Sequence, residues 1–157
     1  MRFISPHFQE QAYLYQNNMI EKYLNISHDY EQINCLSLIC KFYEDELGII
    51  WEEERILFDN FKIATLKDLR RIPINNVFTL KNWIKIDLTF IQQSDIIVYT
   101  RKKKLSHFSM YVGNYKVLDL VENQKSVLRH FNDNKRNNIE GCIRHRQLAA
   151  ELPRITL

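Results

Sequence analysis

A chain of 157 residues, 45% hydrophobic and 26% charged, has the size and balance of one globular domain able to bury a core, which excludes a disordered, low-hydrophobicity chain. The formal charge is only +3, too small to define a polyanion-binding protein, and no apolar run approaches the roughly 18 residues that a membrane-spanning helix needs. Cys35, Cys40 and Cys142 make an odd number with no pair at metal-ligand spacing, which argues for reduced thiols and against a disulfide framework or structural zinc.

Residues 1–18 mix aromatics (Phe3, Phe8, Tyr13, Tyr15) with polar residues and read as an N-terminal arm. Arg2 is not followed by an apolar signal core, so no export signal is expected. A short helical segment over Met19–Tyr23 leads into a polar loop, Asn25–Asn34, in which His28 reads as a solvated histidine. From Cys35 to Leu47 the apolar residues recur at helical spacing: Leu36, Ile39 and Tyr43 form one stripe and Cys35, Leu38 and Phe42 its neighbour, with Lys41, Glu44 and Asp45 opposite. Asn34 is the N-cap and Gly48 the left-handed C-cap, so a helix over Cys35–Leu47 is expected.

Beyond Gly48, a second, peripheral helix is expected over Leu57–Arg71, broken at Pro73, with a turn at Asn75-Asn76 and an apolar stretch around Trp83. Gln92-Gln93-Ser94-Asp95 has the chemistry of a turn. The pattern then becomes extended: Ile96–Tyr99, Phe108–Val112, Tyr115–Val121, Ser126–Phe131 and Ile139–His145 read as strands, with a turn at Gly113-Asn114 and a loose tail at Pro153. Arg101-Lys102-Lys103-Lys104 reads as a solvated basic loop, with an anionic polymer as the minority reading. Helices followed by an antiparallel sheet of about four or five strands make an α+β fold.

The chemistry lies in three of these elements. A thiol in the first turn of a helix, as at Cys35, meets unpaired backbone amides and the positive end of the dipole, which favour negative charge on sulfur. By position alone it is equally a small buried hydrophobe. His107 stands at the start of the second strand and Asp119 twelve residues later on the next. With the turn at Gly113-Asn114 midway, the two face each other across a hairpin, where a carboxylate can hold the imidazole in the tautomer that accepts a thiol proton. Nucleophile, base and orienting group are then all present. Cys40, His130, His145 and Asp95 read as packing, surface or turn residues.

These residues resemble the NlpC/P60 cysteine peptidases, papain-like cell-wall hydrolases. Asn34-Cys35-Leu36-Ser37-Leu38 is similar to the nucleophile motif Asp-Cys-Leu-Gly-Leu of the phage tail branch. Ser94-Asp95-Ile96-Ile97-Val98 and His107-Phe108-Ser109-Met110-Tyr111 match the Gly-Asp strand and His-Val-Gly-Ile-Tyr motifs, the third catalytic position falls on Asp119, and Tyr23 corresponds to a tyrosine about a dozen residues before the nucleophile. Departures are Asn34 for aspartate and Ser37, Ser94 and Ser109 for glycines, in a chain with three glycines.

The resemblance spans 19–148, leaving the arm 1–18 and a tail 149–157. It implies a papain-like fold and a cysteine endopeptidase that cuts peptidoglycan stem peptides in a phage or phage-like tail tip beside other tail-tip proteins, made in the bacterial cytoplasm and acting at the cell wall. Cys35 would attack, His107 would shuttle the proton and Asp119 would orient His107, with the Cys35 backbone N–H and the Tyr23 hydroxyl as oxyanion donors. No cofactor, metal, nucleic acid or membrane insertion is implied. The alternative is a structural tail-tip protein that keeps the scaffold as a docking domain with little or no activity.

Overall fold

The computed structural model describes residues 19–28, 34–121, 123–133 and 137–151. The expected arm at 1–18 and most of the tail lie outside them.

Helix α1 runs Cys35–Leu47 between the two caps expected of it. The Asn34 side chain accepts the amides of Leu36 and Ser37, each at 3.0 Å, while Ser37 Oγ accepts the Asn34 N–H at 2.8 Å. This reciprocal capping box satisfies amides that the helix cannot. Gly48 takes φ 66°, a left-handed position that needs no Cβ. The buried face is Cys35, Leu38, Ile39, Phe42 and Tyr43, and Lys41 pairs with Asp45 at 3.0 Å on the other side.

The next helix differs from expectation. Helix α2 is Glu52–Asn60, not Leu57–Arg71. Glu52, Glu53 and Glu54 crowd its first turn, where negative charge is favoured, and Lys62 at φ 54° turns the chain out of it. Glu54 is its buried anchor and accepts the indole N–H of Trp83. A separate 3-10 turn, Leu66–Arg71, follows behind a Thr65–Asp68 capping box, and Pro73 precedes the short helix α3, Ile74–Phe78, rather than ending one. Proline fits there because its fixed φ suits a helix start.

Six strands form one sheet: β1 Trp83–Ile86, β2 Ile96–Arg101, β3 Lys104–Gly113, β4 Lys116–Asp119, β5 Val127–His130 and β6 Asn138–His145. Their order is β1-β6-β2-β3-β4-β5, with every neighbouring pair antiparallel. The strands expected over Ile96–Tyr99, Phe108–Val112 and Tyr115–Val121 correspond to β2, β3 and β4, and the one expected over Ser126–Phe131 to β5. The count exceeds the expected four or five because β1, four residues long, adds to the outer edge of β6. Helix α4, Arg146–Glu151, ends the described chain and runs from the expected domain, 19–148, into the first residues of the expected tail, 149–157.

Both central hairpins turn on two residues at positive φ. Lys102 and Lys103, at 51° and 63°, sit between the paired Arg101 and Lys104, so the basic run, exposed as expected, is the tip of the β2–β3 hairpin. Asn114 and Tyr115, at 52° and 58°, do the same between Gly113 and Lys116.

One face of the sheet packs Val98, Phe108, Met110 and Leu118 against Leu38, Ile39, Phe42 and Tyr43 of α1. The other buries Ile97, Tyr99, Tyr111, Val117 and Cys142 beneath Ile91 and Phe131. At the entrance to β2, Ser94 adopts φ 72°, which accounts for a glycine in the resembling motif, and its carbonyl accepts the Tyr43 hydroxyl of α1. Asp95 takes a two-pronged grip from Arg144 of β6 at 2.8 and 2.7 Å and accepts the Gln92 amide at 2.8 Å. Burial pushes the Asp95 carboxyl up, and Arg144 opposes that. Asp95 thus locks β2 to β6.

Candidate active site

Cys35, His107 and Asp119 meet where the N-terminus of α1 abuts the sheet, and all three are buried, Cys35 at 1% exposure. His107 Nε2 lies 2.5 Å from Asp119 Oδ1. Cys35 is also close to the ring, near enough to raise its pKa. Since Nε2 is taken by Asp119, Nδ1 is the nitrogen left for the sulfur.

The route to this geometry corrects the expected register. The β3–β4 ladder pairs Met110 with Leu118 and Tyr111 with Val117, with a bulge before the Gly113–Lys116 pair. Continued outward, that register sets Asp119 across from Ser109 and diagonal to His107. An even offset keeps both side chains on one face, and a diagonal is within reach of an imidazole. The difference arises because the turn is Asn114-Tyr115, one residue later than expected.

Burial alone would push the His107 imidazole down. Cys35 and Asp119, one on each side, overcome that and raise it to about 10. A protonated imidazole beside the sulfur stabilises negative charge on it, as does the start of α1. Of the first-turn amides, Asn34 occupies those of Leu36 and Ser37 and not that of Cys35 itself.

Sequence reasoning missed three neighbours. Arg129 of β5 donates from Nε to the second Asp119 oxygen at 3.2 Å and from Nη2 to Gln124 at 3.3 Å. The Tyr99 ring lies 5.3 Å from that of His107, and its hydroxyl shares a 2.8 Å hydrogen bond with Ser109 Oγ. Burial pushes the Tyr99 phenol up to about 12, so it stays neutral near pH 7. The available signal was strand neighbourhood: Val127 pairs with Asp119 and Arg129 stands two residues on.

Tyr23 is not at the site. Its hydroxyl donates to Glu46 Oε1 at 3.0 Å, and burial and Glu46 push its pKa well up. Glu46 belongs to the last turn of α1, roughly 16 Å along the axis from Cys35 at about 1.5 Å per residue. The second oxyanion donor that the resemblance nominated is therefore committed elsewhere, with its ring edge-on to Phe42 at 5.2 Å.

The remaining candidates are structural. The His28 amide donates to the Gln124 carbonyl at 3.0 Å, in a segment strapped to the β4–β5 connection. His145 stacks edge-on with Trp83 and Tyr43, and His130 stacks on Tyr115 and Phe131. Burial raises the thiols of Cys40 and, to about 12, Cys142. Among the described residues no group of three or more His, Cys, Asp or Glu side chains is placed to hold a metal, and no helix is long and apolar enough to cross a membrane.

His107 forms part of the wall of a cleft of about 360 Å³, whose lining includes Lys67, Arg70, Arg101, Ser106 and Val121. A second depression of about 240 Å³ lies along the flank of α1, between Leu36, Cys40, Trp51 and Phe58.

No protein-family profile matches the sequence, and no curated protein matches it. Solved structures do. NlpC2 and NlpC1 of Trichomonas vaginalis superpose with TM-scores of 0.53 and 0.55 at 17% and 15% identity, over 83% and 84% of this chain and 46% and 43% of theirs. A Staphylococcus aureus protein described as similar to lipoprotein, NLP/P60 family, superposes with a TM-score of 0.51 at 14% identity, over 92% of this chain and 43% of that one. The chain spans less than half the length of each structure. At these identities the likeness is one of fold, and the fold is that of NlpC/P60 proteins.

Proposed function

We propose that this protein is a cysteine endopeptidase that cuts the stem peptides of bacterial peptidoglycan, in the setting of a phage or phage-like tail tip that the motif resemblance implies. The observation that carries the reading is the buried His107–Asp119 pair beside Cys35 in the first turn of a helix, where Cys35 and Asp119 together raise the imidazole pKa.

Cys35 sulfur attacks the amide carbonyl carbon, and the Cys35 N–H faces the oxyanion that forms. His107 Nδ1 gives its proton to the departing amine, leaving a thioester on Cys35. His107 then takes a proton from water, whose oxygen attacks the thioester; the acid departs and the thiolate–imidazolium pair is restored. Asp119 holds the ring in place throughout and favours its protonated form, and Arg129 holds Asp119.

A second reading is favoured by one feature: Cys35 is only 1% exposed. A docking domain with little or no activity needs no access. Digestion of purified sacculi separates the two. Soluble muropeptide release by the wild type, abolished in Cys35→Ala, is the expected result. Equal silence of both proteins, with tail particles carrying Cys35→Ala remaining infective and particles lacking the protein failing to assemble, would replace the enzyme by the docking domain.

A further inference from the structure

The cleft beside His107 has a chemistry that the hydrolytic steps leave unused. Two cations, Lys67 and Arg70, come from the 3-10 turn Leu66–Arg71, and a third, Arg101, from the end of β2. All three are exposed, and no carboxylate shares the described lining with them. Nor, among the described residues, does any of the three enter an ion pair. Their neighbours behave otherwise: Arg71 pairs with Asp68 at 3.3 Å, Arg129 with Asp119 at 3.2 Å and Arg144 with Asp95 at 2.7 Å.

We propose that this cleft is a carboxylate-recognition subsite, in which Lys67, Arg70 and Arg101 select stem peptides carrying free carboxylates over the same peptides with those groups as carboxamides. The inference rests on the peptidase reading. Three like charges held around one concavity repel one another and create a positive potential there, and an anion relieves it. Guanidinium groups from two separate elements can grip a carboxylate with paired N–H donors. A nucleic acid or other long polyanion is the poorer fit, because the cations converge on a cleft of about 360 Å³ instead of following a groove. The position matters equally: His107 stands in the same wall, so a carboxylate held here lies beside the residue that carries the proton in the hydrolytic steps.

The test compares two synthetic stem tetrapeptides, one with its carboxylates free and one with them amidated, cleaved by the wild type and by a Lys67→Gln/Arg70→Gln/Arg101→Gln variant. The wild type is expected to prefer the free-carboxylate peptide by about tenfold in kcat/KM, mostly through KM, since each exposed pair contributes a modest factor. That preference should shrink with added salt and vanish in the variant, whose melting temperature shows that it folds. Equal cleavage of both peptides by the wild type overturns the subsite and leaves the peptidase standing. If the wild type cleaves neither, the peptidase reading fails, and calorimetry on Cys35→Ala decides the subsite: tighter binding of the free-carboxylate peptide supports it, and equal affinity overturns it. An oligonucleotide that displaces the peptide at lower concentration would also overturn it, in favour of nucleic acid.

Discussion

His107 Nε2 and Asp119 Oδ1 lie 2.5 Å apart on a diagonal of the β3–β4 hairpin, and the contact leaves Nδ1 of the same ring available to Cys35. Asp119 in turn is held by Arg129 of β5. Three adjacent strand positions thus decide how the imidazole faces the first turn of α1.

Asp119→Ala is expected to remove the orientation of His107 and to leave Arg129 without its carboxylate partner. Breaking a buried charged pair from one side costs about 3–5 kcal/mol, so a drop in urea midpoint should accompany loss of hydrolysis. Asp119→Asn keeps the shape and removes the charge. Its milder destabilisation, with a His107 titration lowered below that of the wild type by NMR, separates charge from packing.

The raised His107 pKa also sets a pH dependence of stability. The folded state binds this proton more tightly than the unfolded chain, so the contribution is fully present below the unfolded value of about 6.5. It is lost as pH rises toward about 10. Urea midpoints should therefore fall between pH 7 and pH 10 in the wild type, and fall less in His107→Gln. An equal fall in both proteins would remove His107 as the source.

The ends of α1 carry a separate prediction. Asn34→Ala removes the acceptor of two amides and should cost about 1 kcal/mol, whereas Asn34→Asp keeps the cap and should be near neutral. Gly48→Ala places a Cβ at φ 66° and should cost about 1 kcal/mol. Chemical denaturation with an unchanged m-value is the measure.

How far the sequence could be read follows the range of the interactions. Helix α1 was legible to the residue because its caps, Asn34 and Gly48, and its apolar stripe are all local. The order Cys35, His107, Asp119 and the shared face of the last two were legible because strand alternation survives an even slip in register. The slip itself was not, since Asn114-Tyr115 and Gly113-Asn114 are both plausible turn pairs and only the ladder distinguishes them. Strand β1 escaped notice because Trp83–Ile86 is short and is defined by pairing with β6, about sixty residues away. Tyr23 was misplaced for a similar reason: spacing from Cys35 locates its backbone, but the partner of its hydroxyl is Glu46, on the far end of the helix.

The most direct test of the central claim, that Cys35 is a nucleophile activated by His107, is the site-resolved rate of thiol alkylation at neutral pH, mapped by mass spectrometry. Burial raises the thiols of Cys40 and Cys142, whereas Cys35 sits in the first turn of α1 beside a protonated imidazole. The account predicts that a small alkylating reagent modifies Cys35 first and that His107→Ala slows that reaction selectively. Equal labelling of the three thiols, or a Cys35 rate indifferent to His107→Ala, would contradict it.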